Sequence, residues 1–210
     1  MRDRENHLAP SRSAGPAGVT GGGISSATLI RSAAALFLAR GYATSTTRDL
    51  AEALGIRKAS LYHYIDGKED LLYAICKQSL DELSERIRET IAVTSPEDCI
   101  KEVIATHLRT VLARKDMYSV TLMETRSLTG RRKAEILESR ESYRSLVGEA
   151  VRQGQATGQI RSDVDTRFLT MALLNHLNWV LFWYTPEDGP AEDLAVIYTL
   201  LYLEGAARPV

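Results

Sequence analysis

Residues 46 to 72 read Thr-Thr-Arg-Asp-Leu-Ala-Glu-Ala-Leu-Gly-Ile-Arg-Lys-Ala-Ser-Leu-Tyr-His-Tyr-Ile-Asp-Gly-Lys-Glu-Asp-Leu-Leu. Thr46 caps a helix, and Asp49 holds the reciprocal position of a capping box. Leu50, Ala53 and Leu54 then face inward. Gly55 breaks the helix at a turn whose positive φ is cheap only for glycine. A third short helix follows over about 58 to 64, and Asp66-Gly67 turns the chain again. Glu69 and Asp70 fall on the positive end of a longer helix that starts near Lys68. Two short helices joined in this way are the layout of a helix-turn-helix, which lays its second helix in a DNA groove.

No other period competes with the helical one. Ile30, Ala33, Ala34 and Phe37 repeat at helical spacing before Gly41. Leu72, Ile75, Cys76, Ser79, Leu83 and Ile87 continue the stripe beyond Lys68. Ser95-Pro96-Glu97-Asp98 has the cap, proline and acids of a helix start, ahead of Ile100, Val103, Ile104, His107, Leu108 and Val111. Further helices are expected from Asp116 to about Gly130, from Arg131 to Thr157, over about 165 to 184, and over 190 to 205. The expected fold is all-α with about nine helices. It divides into a tail over 1–23, a three-helix DNA-binding domain over 24–72, and a helical ligand-binding and dimerisation domain over 73–210. The Gly-, Pro-, Ser- and Ala-rich tail has too few large apolar groups to offset ordering and is expected to be disordered.

A net charge of −1 gives no global excess for nucleic acid, so any DNA contact rests on local charge. Cys76 and Cys99 lack metal-ligand spacing and suit a reducing compartment. With no apolar run of membrane length and no signal-peptide pattern, a cytoplasmic protein with no membrane partner is expected. His7, His63, His107 and His176 fall in no nucleophile or zinc motif, and no phosphate-binding glycine loop occurs. No enzyme activity, metal or cofactor is expected.

Leu29-Ile-Arg-Ser-Ala-Ala-Ala-Leu-Phe-Leu-Ala-Arg-Gly-Tyr42, followed by Arg-Asp-Leu-Ala, Gly-Ile, Ser-Leu-Tyr and Lys-Glu-Asp-Leu-Leu at their separations here, resembles the TetR family of repressors over about residues 27 to 73. Gly154 to Ile160 and then Arg161-Ser162-Asp163 look like that family's turn between its seventh and eighth helices. Trp179-Val-Leu-Phe-Trp-Tyr184, with Pro186 and Gly189-Pro190, is similar to members whose effectors are acyl-CoA thioesters of steroid or fatty-acid catabolism.

The resemblance implies a homodimer on a near-palindromic duplex, released by a small hydrophobic effector that is anionic or of acyl-CoA type. Lys58 opens the recognition helix as a base-edge or phosphate donor. Ala59 lets the helix approach and can touch a thymine methyl. Ser60 and Tyr62 offer hydroxyls to phosphates, and His63 can donate to either. Thr47 and Arg48 stand at a helix N-terminus that favours phosphate, and Lys68 is expected to clamp the flanking strand. Arg57 stands where Ser or Thr often caps, a loss of about 1 kcal/mol, in exchange for a fork of donors on the DNA side. Leu61 and Ile65 are assigned to the core, and Tyr42 either reaches the DNA backbone or packs on the first helix.

In the C-terminal half, Arg140 shares an apolar helix face with Ile136, Tyr143 and Val147 and needs a partner. Glu124 can be that partner. Otherwise Arg140, helped by Arg126, Arg131 or Arg132, receives an anionic group of a ligand. His107, Asn175, His176, Trp179 and Trp183 complete the candidate ligand contacts, with core packing as the other reading. Leu169, Leu173, Val180, Leu194, Ile197 and Leu201 are the candidates for the dimer seam. A helical enzyme or carrier, or a DNA-binding protein without a ligand, remains the alternative.

Overall fold

The computed structural model describes residues 24–205, so the tail expected over 1–23 lies outside the described residues. The elements are α1 (Ser26–Arg40), α2 (Thr47–Ala53), α3 (Lys58–Leu61), α4 (Lys68–Val93), α5 (Cys99–Ala113), α6 (Lys115–Glu124), α7 (Gly130–Thr157), α8 (Thr166–Trp183) and α9 (Ala191–Gly205). Short 3₁₀ turns over Thr125–Ser127 and Pro186–Asp188 complete them, and there is no strand among the described residues. None of the described helices is long and apolar enough to cross a membrane.

The local signals act as their chemistry dictates. Thr46 Oγ1 accepts from the Asp49 N–H at 3.2 Å, and Asp49 Oδ2 accepts from the Thr46 N–H at 2.8 Å. Gly55 adopts φ +66°, and Gly158 adopts φ +79° where α7 stops. Asp70 Oδ2 accepts from the N–H groups of Asp66 and Gly67 and so fixes the start of α4. Three boundaries move. α3 ends at Leu61, because His63 and Tyr64 tighten into turns on the carbonyls of Ser60 and Leu61. α5 starts only at Cys99, because the Asp98 N–H turns back onto Ser95. The helix from Lys115 stops at Glu124 and passes through the 3₁₀ turn before α7.

Two cores form. The first joins Ala33, Ala34 and Phe37 of α1 to Leu50, Leu61, Ile65 and the first half of α4, and it takes in Met117, Val120 and Ile136 from α6 and α7. Ala51, not Ala53, is the buried alanine of α2. The second core runs from Leu83 and Ile87 of α4 through α5, α7, α8 and α9. α4 and α6 serve both: Tyr118 belongs to the second core, while its neighbours Met117 and Val120 belong to the first.

The outer faces of α8 and α9 are not covered. Trp179 is 63% exposed and Phe168 64%, beside Phe182, Trp183, Ile197, Leu200 and Leu201. Leu169, Leu173, Val180 and Leu194, expected at the seam, are instead buried in the chain's own core. A helix that is apolar all round has two apolar faces, and periodicity alone does not say which one points inward. Only Ile197 and Leu201 of the six expected seam residues are free to meet a partner.

Candidate functional site: an exposed cationic helix and an open-mouthed cavity

α3 carries its cations outward. Arg57, Lys58, Ala59, Tyr62 and His63 are exposed, and Ser60 is half-buried. Leu61, on the opposite side, is fully buried and anchors the helix. Lys58 Nζ stands 5.8 Å from the centre of the Tyr62 ring. Tyr62 Oη and Thr47 Oγ1 lie 3.3 Å apart, which ties α3 to the first turn of α2. Arg48 is exposed beside them. Arg48, Arg57 and Lys58 form no ion pair among the described residues. Arg57 takes the N-cap position of α3 with no side-chain bond. Tyr64, 46% exposed, extends the same surface. Its place in the Tyr-His-Tyr run is the signal that marks it.

Lys68 does a different job from the strand clamp expected of it. Its ammonium donates to the carbonyls of Tyr42 (2.8 Å), Ala43 (3.1 Å) and Ser45 (3.0 Å) and sits 4.5 Å from the Tyr42 ring centre. All three ammonium donors are thus spent inside the chain. Tyr42 itself is buried edge-on against Phe37 at 5.0 Å, so it packs on α1.

The second site is a cavity of about 370 Å³ between α4, α6, α7 and α8. Leu80, Leu83, Leu122, Leu174 and Leu181 give it apolar walls. Exposed Arg140 and Glu141 stand at its mouth, and Arg144 pairs with Glu141 there. Arg140 itself has no hydrogen bond or ion pair among the described residues. Buried Tyr118 and Tyr143 belong to its floor, with Asn175 and Asn178 on the α8 side. Behind the floor, His107 Nδ1 lies 2.6 Å from Tyr143 Oη. Burial holds the His107 ring neutral by lowering its pKa to about 4, against a weaker opposing effect of the Asn178 amide. Its Nε2 has no well-formed hydrogen bond, and neither has the Tyr118 hydroxyl.

Of the ligand contacts expected from sequence, Arg140, Tyr143 and Asn175 meet at this cavity, and His107 supports it from behind. Glu124 does not pair with Arg140. It accepts from the Tyr42 N–H (3.5 Å) and the Ser127 hydroxyl (3.2 Å), toward the end of the chain that carries α1. His176 meets Tyr198 edge-on at 4.3 Å between ring centres, away from the cavity, and Trp179 and Trp183 lie on the exposed side of α8, so none of the three reaches the cavity. Arg131 and Arg132 are engaged by Glu135 and Asp70. Sequence reasoning missed Tyr118, Arg144 and Asn178. Tyr118 and Arg144 follow charged residues one helical turn earlier, so no local pattern in the sequence singles them out.

Residues 29–75 match the family model of bacterial regulatory proteins of the tetR family, and residues 93–206 match that of the tetracyclin repressor-like C-terminal domain. The HTH-type transcriptional repressor KstR2 of Rhodococcus jostii (strain RHA1) is 31% identical over 185 residues, covering 86% of this chain and 90% of that protein. The crystal structure of the TetR family transcriptional regulator PfmR from Thermus thermophilus superposes with a TM-score of 0.77 at 31% identity, over 86% of this chain and 99% of that one. AibR, solved in complex with isovaleryl coenzyme A and operator DNA, superposes with a TM-score of 0.74 at 27% identity, over 84% of this chain and 97% of its own.

Proposed function

We propose, because this chain belongs to the TetR family of transcriptional regulators, that α3 is its operator-reading helix and the cavity its effector site. The chain is a ligand-responsive DNA-binding repressor, not an enzyme. Lys58, Arg57, Ala59, Tyr62 and His63 meet the major groove in this reading, with Thr47, Arg48 and Ser60 on the flanking phosphates. The division of labour follows residues 24–72 for DNA and 73–210 for effector and dimer, in the cytoplasm. One such helix grips weakly. Two, held roughly 34–36 Å apart by a twofold dimer, reach successive grooves of a near-palindrome. The bare apolar faces of α8 and α9 supply the seam, through Trp179, Phe182, Ile197, Leu200 and Leu201.

The observation that carries the release mechanism is the double membership of α4 and α6. Leu83 and Tyr118 wall the cavity, while Ile75, Met117 and Val120 pack in the DNA-facing core. An effector with an apolar group, either a small hydrophobic molecule or an acyl-CoA such as the one AibR is solved with, favours a state with α4 and α6 displaced, and the two α3 helices leave register. It shifts the equilibrium only by its differential affinity for the two states. A coupling of about 1–3 kcal/mol changes operator binding by roughly 5- to 150-fold.

The test is fluorescence anisotropy on a near-palindromic duplex selected from a random pool. Lys58→Ala is expected to lower operator affinity by about tenfold and to reduce the salt slope by about one, with stability unchanged. Equal binding by Lys58→Ala and the parent chain across salt concentrations removes α3 from the interface.

A further inference from the structure

Three consecutive residues in the first turn of α4 hold three different parts of the chain. Lys68 gathers carbonyls of the loop between α1 and α2. Asp70 accepts from the N–H groups of Asp66 and Gly67, and its other oxygen pairs with Arg132 of α7. Glu69, between them, reaches out of its own helix to the start of α7. There its Oε1 accepts from the Thr129 N–H at 2.8 Å and from the Thr129 hydroxyl at 3.0 Å. Thr129 is the N-cap residue of α7 and makes no side-chain cap of its own, so α7 begins on a carboxylate supplied by α4. One turn further along, the Tyr73 hydroxyl donates to Glu135 at 2.7 Å, and the Arg132 guanidinium lies 5.9 Å from the Tyr73 ring centre. The rest of the junction is apolar, with Met117, Val120, Leu128 and Ile136 packed into the first core, apart from a long bond of 3.5 Å from the Tyr42 N–H to Glu124. Apolar packing attracts without direction, whereas a hydrogen bond weakens steeply as its angle opens. Glu69, Asp70, Tyr73, Arg132 and Glu135 are half-buried and Thr129 is exposed, so their bonds add little net stability. What they add that the apolar core does not is direction.

We propose that Glu69 is a positioning residue for operator recognition. By seating the start of α7 on the first turn of α4, it fixes the angle at which each α2–α3 pair is carried, and with it the half-site spacing that the dimer accepts. Glu69 itself touches no DNA in this account. It acts through α4 on α3, whose Leu61 shares the first core with Leu71 and Leu72 of the α4 start. One base pair inserted between half-sites moves the second by about 3.4 Å along the axis and turns it around the duplex. A firmly held pair of helices rejects the changed spacing, and a loosely held pair follows it. The proposal rests on the reading of α3 as the operator helix of a twofold dimer.

The experiment measures fluorescence anisotropy with the full chain on four duplexes: the near-palindrome selected from a random pool, the same duplex with one central base pair added, the same with one removed, and a single half-site. The parent chain is expected to bind the selected spacing at least about tenfold more tightly than either altered one, because a misplaced half-site cannot be engaged together with the first. Glu69→Ala narrows that preference to about threefold or less and leaves half-site binding unchanged. Glu69→Gln, whose amide oxygen still accepts from Thr129, restores the preference. Arg132→Ala spares the Glu69 bond and narrows the preference in part, and it carries the test should Glu69→Ala fail to fold. Several results overturn the proposal: a spacing preference undiminished in Glu69→Ala or in Arg132→Ala, no restoration by Glu69→Gln, or a loss in Glu69→Ala by one factor on all four duplexes, which means less folded protein and nothing more. A parent chain that binds all three spacings alike overturns it while α3 remains the operator helix. A parent chain that selects no duplex overturns it and takes the operator reading with it.

Discussion

Around α3, Arg48, Arg57 and Lys58 stand in no ion pair among the described residues, Lys58 leaning only on the Tyr62 ring, and water solvates them at little cost. In the second core the Tyr118 hydroxyl is sealed without a partner, and behind the cavity the buried His107 ring leans on the Asn178 amide. Beneath the first surface the polar groups are closed on one another. Thr46 and Asp49 cap each other, Asp70 holds the start of α4, and Lys68 gathers three carbonyls. The α2–α3 end is therefore a platform closed on its own hydrogen bonds, with free cations on top. The cavity end is a core with an unfilled place inside it. A polyanion can meet such a platform without rearranging it, whereas a ligand at the cavity acts on the fold only through its differential affinity for two states.

The largest effect is expected where the comparison meets the second copy. Trp179→Glu with Leu201→Glu puts charge on faces that touch little of the chain's own core, so helix content and the melting transition of the monomer persist. Sedimentation should show single chains, and operator affinity should fall on the order of 100-fold or more as the two half-sites uncouple. A dimer that survives both charges places the seam elsewhere.

Lys68→Ala comes next. Losing a charge-assisted bond set and stranding three carbonyls should cost about 2 kcal/mol in urea unfolding. Lys58→Ala, ten residues earlier, should cost nothing there. Were Lys68 a phosphate clamp instead, its removal would spare stability and lower only the salt slope of DNA binding.

How much of each end was legible follows from the range of the forces. The capping box at Thr46, the positive φ at Gly55 and the buried side of α3 at Leu61 are set by neighbours within a few residues, and sequence alone exposes them. Lys68 looked like a free cation at a helix start because the carbonyls of Tyr42, Ala43 and Ser45 arrive from the preceding loop. The cavity draws its wall from Leu80 to Leu181, and no local pattern brings Tyr118 to Tyr143 or removes Glu124 from Arg140. Trp179 and His176 share α8 with Leu173 and Leu177. Which side of that helix is inner depends on where α5 and α7 lie.

The floor of the cavity also gives a pH signature that the platform lacks. His107 is held to a pKa of about 4 in the fold against 6.5 when free, through burial first. Between those values the unfolded chain binds a proton that the folded chain refuses, so stability falls as pH drops through that window. The slope is at most about 1.4 kcal/mol per pH unit, and it vanishes above the upper value. Asp49, lowered by its bonds to Thr46, acts on stability only below its unfolded value of 3.8, outside this window. Urea midpoints at pH 7.5, 6 and 5 should decline for the parent chain. The His107→Gln chain, weaker throughout, should decline less steeply. Parallel slopes in the two chains would mean that His107 is not buried neutral.

The smallest effect tests whether the platform gives up stability for charge. Arg57 occupies the N-cap of α3 and makes no capping bond. Serine there can accept from a free N–H of the first turn, worth about 1 kcal/mol. Arg57→Ser should therefore raise the unfolding midpoint while weakening operator binding and its salt dependence, because a cation near the phosphates is gone. The two changes have opposite signs, and each alone has a different meaning. A stabler chain with unaltered DNA affinity would show that Arg57 never touches the duplex. Weaker binding without added stability would show that α3, at four residues and anchored by Leu61, is held by its packing and not by its cap.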